Sequence, residues 1–379
     1  MKKHHFLIFS FSVLFILVFV SRILKAQTFA CIGDYGEAGQ PELAVSNLVK
    51  SWNPEFIITT GDNNYLYGDS LTIDTNIGFY YHQYIYPYSG KYSNSDTTTK
   101  NRFFPSIGNH DLLTANGQPY YNYFSLPNNE RYYDFVWGDV HFFSLNSDSS
   151  GGHEPDGTAA NSFQAGWLMG KLSTSTSKWN IVYFHHAAFS SGGTHGSSSW
   201  MQWPFEQWGV TAVLGGHDHV FERLLVGKIP FFVNGLGGRN GIYALNAPLP
   251  ESKKQYNGNF GAMKISAFAD SIIFEFRTIA DSLVDRFVII NTLSGLNNLD
   301  GSNVVSPNPF TTNSFIYLNR KLQNGTIQIY DMLGKEIEKR SNLAGNIIPI
   351  SGKNILSGLL FYKISEDGKI VTSGRALKL

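Results

Sequence analysis

Cysteine is almost absent from this 379-residue chain, in which Cys31 is the only example. A single cysteine excludes an intrachain disulfide, so an exported protein of this sequence would depend on its core or on bound metal for stability. An excess of one charge is also missing, since 29 basic side chains balance 29 acidic ones. This balance does not indicate a nucleic acid or an anionic membrane as partner.

Long hydrophobic runs are limited to the N-terminus. Lys2 and Lys3 precede an apolar stretch from residue 6 to residue 20, and the letters "LKA" come directly before Gln27. This order predicts a signal peptide over residues 1–26. An uncleaved membrane anchor is the alternative, although the stretch is shorter than the roughly 20 residues that a spanning helix needs.

Aromatic residues and glycine are plentiful, and apolar strand patterns alternate with helical ones from residue 27 to residue 290. Alternation followed by paired hairpins predicts an α/β fold, a sandwich of two mixed sheets flanked by helices. Residues 291–303 are polar and rich in turn formers, which indicates a linker. Residues 304–379 contain short alternating strands, and we expect a small all-β domain there.

Five segments share one design, a strand that ends in a loop with polar side chains. They are "GDYG" with Asp34, "GDNNY" with Asp62 and Tyr65, "GNHD" with Asn109 and His110, "VYFHH" with His185, and "GGHDH" with His217 and His219. Loops at the carboxyl ends of strands in an open α/β sheet converge on one crevice. We therefore expect these side chains to meet.

The combined donor set consists of two carboxylates, a phenol, an amide oxygen and three imidazoles. Such a mixture suits iron, manganese or zinc, and there are enough donors for two ions. Each segment alone is weak evidence, because a glycine–aspartate pair after a strand is commonly only a turn. His217 and His219 lie two positions apart, so a turn must aim both inward. The serine- and glycine-rich stretch "SSGGTHGSSSW" that contains His195 is predicted to be a flexible loop.

The order of these motifs resembles the calcineurin-like metallophosphoesterase superfamily and, more narrowly, the purple acid phosphatases, over roughly residues 28–290. Most of that superfamily has aspartate-x-histidine in the first motif, whereas this chain has Gly36 in place of the histidine. The resemblance implies that Tyr65 replaces the missing imidazole, and a phenolate favours Fe(III) over divalent ions. A histidine introduced at residue 36 is then expected to restore the usual ligand.

The resemblance implies specific roles for these residues. Fe(III) is expected at Asp34, Asp62, Tyr65 and His219, and a divalent ion (Fe, Zn or Mn) at Asp62, Asn109, His185 and His217. A metal-bound hydroxide would attack the phosphorus of a phosphomonoester. His110 is expected to bind and stabilise the phosphate, and His195 to protonate the leaving group, unless it is only a solvated loop residue. His186 and Asp111 are expected to support the ligands, with Asp111 bonded to an imidazole.

The same resemblance implies an acid phosphatase acting on a phosphorylated small molecule or phosphoprotein. A phosphodiesterase or nucleotide pyrophosphatase on the same site is one alternative, and a surface-binding protein with a relic metal site is another. The C-terminal "SPNPF", "IQIYDMLGKEI" and the ending "GRALKL" resemble the sorting domain of type IX secretion. That likeness implies contact with export machinery, passage through the outer membrane, and release or attachment at the cell surface.

Overall fold

The computed structural model describes residues 26–93, 98–151, 153–290, 304–306, 308–331, 334–353 and 355–379. The predicted signal peptide, apart from Ala26, and the predicted linker lie outside these residues. The chain divides into two compact units between Asn291 and Thr292. In the described part of the chain, no helix is both long and apolar enough to cross a membrane.

The described residues of the first unit form thirteen strands and few helices. Its strands are β1 Gln27–Ile32, β2 Phe56–Thr59, β3 Phe103–Pro105, β4 Tyr133–Trp137, β5 Val140–Ser144, β6 Trp179–His186, β7 Ala212–Gly216, β8 Phe221–Val226, β9 Ile229–Asn234, β10 Ser252–Tyr256, β11 Gly261–Ala267, β12 Ser271–Thr278 and β13 Leu283–Ile290. Its α-helices are α1 Gln40–Ser51, α2 Phe79–Tyr81, α3 Asn109–Leu112, α4 Gln118–Tyr123 and α5 Phe163–Thr174. Single turns of π- or 3-10 helix occupy Asp74–Gly78, His82–Tyr84, Ala115–Gly117 and Ser199–Met201.

These strands form two mixed sheets, as predicted. One has the order β13-β12-β11-β1-β2-β3, and the other has the order β10-β8-β9-β7-β6-β5-β4. Strands β1, β2 and β3 run parallel, as do β5, β6, β7 and β9. The parallel strands of each sheet consequently end at one common edge, where their following loops meet.

The core lies between the two sheets, and the period-2 alternation of strand side chains builds it. Phe29 of β1 stacks on Phe56 of β2 and meets Phe142 of β5 edge-on, with ring centroids 4.9 and 5.0 Å apart. The alternate residues Ala30 and Ile32 face away from the opposite sheet and pack in the cluster that includes the apolar side of α1. Both faces of β1 are therefore buried, as expected for a central strand covered by a helix.

Helix boundaries follow local chemistry. Helix α1 begins with Pro41 in its first turn, where a missing backbone N–H costs nothing. Helix α5 begins after Ser162, whose hydroxyl accepts a hydrogen bond from the backbone N–H of Ala165. Strands β4 and β5 pair antiparallel on either side of Gly138 and form a hairpin.

The second unit is a single five-stranded antiparallel sheet with its own core. Its strands are β14 Val304–Ser306, β15 Asn313–Tyr330, β16 Glu336–Ser351, β17 Gly358–Glu366 and β18 Lys369–Lys378. Strands β14, β15, β17 and β18 are neighbours in that order, and β16 also pairs with β15. Ile316, Ile327 and Ile364 are fully buried in a cluster formed only by residues of this unit. The all-β architecture expected here is confirmed.

Candidate metal centre

Seven predicted donor residues meet where β1, β2, β3, β6 and β7 end, and they form two groups. The first group joins Asp34, Tyr65 and His219. The Tyr65 hydroxyl donates to Asp34 Oδ1 at 3.1 Å and lies 3.3 Å from His219 Nε2. His219 Nε2 is itself 3.6 Å from Asp34 Oδ1. Carboxylate, phenol and imidazole thus converge on one point.

The second group joins Asp62, Asn109, His185 and His217 around His185 Nε2. This nitrogen is 2.9 Å from Asn109 Oδ1, 3.0 Å from His217 Nδ1 and 3.3 Å from Asp62 Oδ2. Donor atoms of Asp62, His185 and His217 lie within 4.8 Å of one another, close enough to share one ion.

Asp62 lies between the groups. Besides contacting His185, its charge acts on the Tyr65 phenol in the first group. The other carboxylate, Asp34, accepts a hydrogen bond from the backbone N–H of His217 at 2.9 Å, which also ties the groups together. Asp62 therefore contacts the second group directly and acts electrostatically on the first.

Backbone carbonyls set the tautomers of two imidazoles. His185 Nδ1 lies 2.9 Å from Thr60 O, and His219 Nδ1 lies 2.7 Å from Gly241 O. A carbonyl oxygen can only accept, so Nδ1 carries the hydrogen and Nε2 is left as the donor atom toward the site.

Burial makes this donor set unfavourable unless a cation is present. Burial, opposed by His185 and reinforced by the Asp62 carboxylate, raises the pKa of Asp34 to about 8. Burial and then the charges of Asp62 and Asp34 raise the pKa of the Tyr65 phenol well above its usual value. Burial also lowers the pKa of His219 to about 4, which keeps that imidazole in its neutral, metal-binding form. Buried Asp34 and Tyr65 beside a neutral His219 imidazole fit a metal ion, whose charge would ionise the carboxyl and the phenol.

Three donors have a left-handed backbone, with φ of 54° at Asp34, 51° at Asp62 and 71° at His217. Such conformations are uncommon for residues with side chains and cluster at functional sites. Two flanking glycines are required by close approach. A Cβ at Gly61 would lie 2.7 Å from the His185 ring, and one at Gly108 would lie 2.2 Å from Asp62 Oδ1.

Gly36, where the resemblance places a histidine, has no room for any side chain. A Cβ there would lie 1.7 Å from the carbonyl oxygen of Asn63. The backbone N–H of Tyr65 also donates to Gly36 O at 2.7 Å. The chain segment that brings Tyr65 to the site therefore packs on the bare backbone of Gly36. The expectation that a histidine at residue 36 would restore a ligand is wrong for this reason.

Asp111 supports the site in a way that differs from the prediction. Its carboxylate accepts the backbone N–H of Asn63 at 3.0 Å, the Asn63 side-chain amide at 2.8 Å and the backbone N–H of Gly108 at 2.8 Å. The predicted bond to an imidazole is thus replaced by bonds that join the loops of Asp62 and Asn109.

The two predicted catalytic histidines line the site without occupying a donor position. His110 Nδ1 lies 2.6 Å from Leu66 O, and His110 Nε2 lies 3.9 Å from Asp62 Oδ2. The exposed His195 ring stacks on His217 with centroids 3.8 Å apart. His186 packs against His217 at 4.4 Å and bonds to Ser147 Oγ through Nδ1 at 2.9 Å.

Sequence reasoning missed the segment of residues 235–246, which follows β9. Gly241 O accepts from His219, and the Tyr243 ring stacks on His219 with centroids 4.0 Å apart. The Arg239 guanidinium lies 4.9 Å from the Tyr65 ring centroid and pairs with Glu37. A signal was available, because "GLGGRNG" is another glycine-rich loop directly after a strand. This loop lacks the aspartate or histidine that each of the other five segments contains.

A sandwich of two mixed sheets with these oxygen and nitrogen donors at its edge is characteristic of metal-dependent phosphoesterases. The chain belongs to the calcineurin-like phosphoesterase family, whose model matches residues 23–221. A second model, the secretion system C-terminal sorting domain, matches residues 304–376. The C-terminal unit is therefore a sorting domain, which implies interaction with export machinery.

The chain is also similar to a curated protein sequence and to two solved structures. The uncharacterized protein Rv2577 of Mycobacterium tuberculosis is 27% identical over 146 residues, which covers 32% of this chain and 27% of that protein. The chain thus spans about a quarter of the curated relatives that it matches. The purple acid phosphatase PPD1 from yellow lupin (Lupinus luteus) superposes with a TM-score of 0.57 at 14% identity, over 70% of this chain and 54% of that one. GAP50, the anchor in the inner membrane complex of Plasmodium, superposes with a TM-score of 0.53 at 16% identity, over 76% and 99%. At these identities the two structures bear on the fold alone.

Proposed function

We propose that this chain is an exported phosphatase that hydrolyses phosphomonoesters at a binuclear centre of Fe(III) and one divalent ion. The observation that supports it is the meeting of seven donors in two groups with Asp62 between them. Asp34, Asp62, Tyr65 and His219 would hold Fe(III). Asp62, Asn109, His185 and His217 would hold iron, zinc or manganese.

The choice of iron rests on Tyr65. Its hydroxyl points at Asp34 and His219, and the phenol is anionic once a cation compensates its burial. A hard anionic oxygen favours the more highly charged ion. When bound, such a pair of ions supplies Lewis acidity and an activated water, even in mild acid.

His110 would hold the phosphate. Its Nδ1 hydrogen is donated to Leu66 O, so Nε2 is the atom that faces the cleft beside Asp62. In the doubly protonated ring Nε2 also carries a hydrogen, which it would donate to a phosphoryl oxygen, and the ring would stabilise the charge that develops during attack. Groups of this kind contribute roughly 10²- to 10³-fold to turnover.

His195 would protonate the leaving group. The P–O bond to the alcohol breaks as water adds to phosphorus, the departing oxygen takes a proton from the protonated His195 ring, and the proton released by the attacking water passes to solvent. Stacking on His217 holds the ring next to the second donor group while leaving it exposed to substrate. Substrates with poor leaving groups depend most on this proton.

Export of this protein would bring it to substrates outside the cytoplasm. The sorting domain at residues 304–376 favours passage through the outer membrane, followed by release or attachment at the surface. We infer that the substrate is a phosphorylated small molecule or a phosphoprotein encountered there.

The test compares p-nitrophenyl phosphate with bis(p-nitrophenyl) phosphate on purified protein of measured metal content. The proposal expects about one iron plus one divalent ion per chain, turnover of the monoester at least about tenfold faster than of the diester, and loss of turnover with a chelator. Faster diester turnover would favour a phosphodiesterase. A protein that binds both metals and turns over neither substrate would favour a non-catalytic binding role.

A further inference from the structure

The aspartate within "GHDH" is not a donor to the site. Asp218 stands between His217 and His219, yet its side chain is only 1% exposed and points into the loop that carries His195. Two metal-binding histidines need only a turn between them, which a glycine or serine could make. A buried carboxylate at this position therefore requires its own explanation.

Asp218 binds three hydrogen donors of that loop. Oδ1 accepts the backbone N–H of His195 at 3.0 Å, and Oδ2 accepts the backbone N–H of Gly196 at 2.9 Å and the Ser190 hydroxyl at 2.6 Å. The loop can approach Asp218 this closely only because residue 192 is glycine, since a Cβ there would lie 2.1 Å from Asp218 Cγ. The loop predicted to be flexible is thus tied by hydrogen bonds to a buried carboxyl side chain.

Two consecutive residues, His217 and Asp218, consequently both contact His195. Its ring stacks on His217, and its backbone N–H is bound by the next residue, Asp218. His217 in turn donates its backbone N–H to Asp34. Any displacement of His195 relative to the donor group must break one of these contacts.

We propose that Asp218 is the positioning residue that fixes His195 over the metal centre, so that its proton reaches the leaving group. This inference rests on the proposed function of His195. Asp218 does not touch substrate in this scheme. It acts through the backbone of the loop, which consists mainly of serine and glycine.

Asp218→Asn tests the proposal with minimal change of shape. A carboxylate accepts from all three donors, whereas an amide has one oxygen and one NH₂ group. Whichever way the amide lies, its NH₂ faces the N–H of either His195 or Gly196. One loop amide must therefore lose its partner, and its hydrogen exchange should accelerate roughly tenfold or more.

Glu222→Gln is the matched control. Glu222 is another fully buried carboxylate that binds the same loop, but it contacts only the backbone and hydroxyl of Ser191, together with Gln255. This variant should leave His195 and Gly196 protected, because neither amide bonds to residue 222. A general effect of losing a buried charge would appear in both variants.

Turnover is measured with p-nitrophenyl phosphate, which has a good leaving group, and with an alkyl phosphate, which has a poor one. His195→Ala should lower alkyl turnover roughly 10²-fold and aryl turnover much less. Asp218→Asn should lower alkyl turnover roughly tenfold with unchanged metal content, and Glu222→Gln should match wild type in the ratio of the two substrates. The double variant His195→Ala/Asp218→Asn should be no worse than His195→Ala alone.

Each other outcome has a definite meaning. Wild-type exchange at residues 195 and 196 in Asp218→Asn, or additive losses in the double variant, would overturn the positioning role. Loss of metal with equal loss on both substrates would also overturn it and assign Asp218 to the support of His217 and His219. If His195→Ala lacks a leaving-group effect, the proposed role of His195 fails. The exchange data still decide whether Asp218 holds the loop.

Discussion

Replacing Tyr65 by phenylalanine tests whether Tyr65 is a metal ligand or only a packing residue. The Tyr65 side chain is 4% exposed, and its ring contacts the His110 ring at 4.5 Å and lies beneath the Arg239 guanidinium. Phenylalanine keeps these ring contacts. It removes only the hydroxyl, which is 3.1 Å from Asp34 and 3.3 Å from His219.

The expected cost to the metal-free fold is small. One hydrogen bond contributes about 0.5–1.5 kcal/mol to the free energy of unfolding, which corresponds to a few degrees in the melting temperature of the first unit. The cost to iron binding is much larger. Loss of a supporting residue alone weakens metal affinity about 10- to 100-fold, so loss of an anionic ligand should weaken it at least about 10²-fold.

The assay is the visible spectrum of iron-loaded protein beside its melting curve. A phenolate bound to Fe(III) gives a ligand-to-metal charge-transfer band, which Tyr65→Phe should abolish while the metal-free variant melts almost normally. Tyr67→Phe is the control, because it makes the same chemical change two residues away on a side chain that is 65% exposed. Colourless wild-type protein loaded with iron, or an unchanged band in Tyr65→Phe, would refute the argument and make Tyr65 a packing residue.

Three further predictions address the remaining residues and the two units. His110→Ala should retain both ions by metal analysis and lower monoester turnover roughly 10²-fold or more; an empty metal position would instead make His110 a ligand. Asp111→Asn places an NH₂ group against a buried N–H donor. It should lower the free energy of unfolding, measured by denaturant titration, by about 1–3 kcal/mol and weaken metal binding about 10-fold or more. Unchanged stability would contradict the role of Asp111 in joining the two loops. A chain truncated after Asn291 should keep its turnover when purified from cytosol, because the sorting domain has a separate core, and should accumulate in the periplasm of the native host. Lost turnover with intact metal content would show that the sorting domain shapes the site.

Much of the secondary structure could be predicted from the sequence, because it depends on residues that are close together in the chain. Strand alternation and helix caps depend on residues within a few positions of each other, so the alternation of strand and helix patterns from residue 27 to residue 290 was recognisable. Donor residues were recognisable for a related reason. The chemistry restricts them to a few residue types, and each follows a strand, so Asp34 and His217 were identified before their distance could be known.

Contacts between distant segments were decided only by the tertiary structure. The missing imidazole at Gly36 could be seen in the sequence, but the carbonyl of Asn63 that forbids any side chain there could not. The partner of Asp111 was predicted incorrectly because a carboxylate accepts equally from an imidazole and from backbone N–H groups. Which donor it meets depends on how two loops pack, and sequence spacing does not specify that.

The loop around His195 also shows the difference between what the sequence predicts and what the tertiary structure decides. Its serines and glycines have no strong local preference, and composition alone therefore predicted flexibility. In the folded chain, Asp218 and Glu222 lie beneath it and bind its backbone and hydroxyl groups. The sequence by itself determined which residues were available for metal and proton chemistry, because that depends on side-chain type. Only the tertiary structure determined which of them are held in place, because buried carboxylates more than twenty residues away supply the bonds.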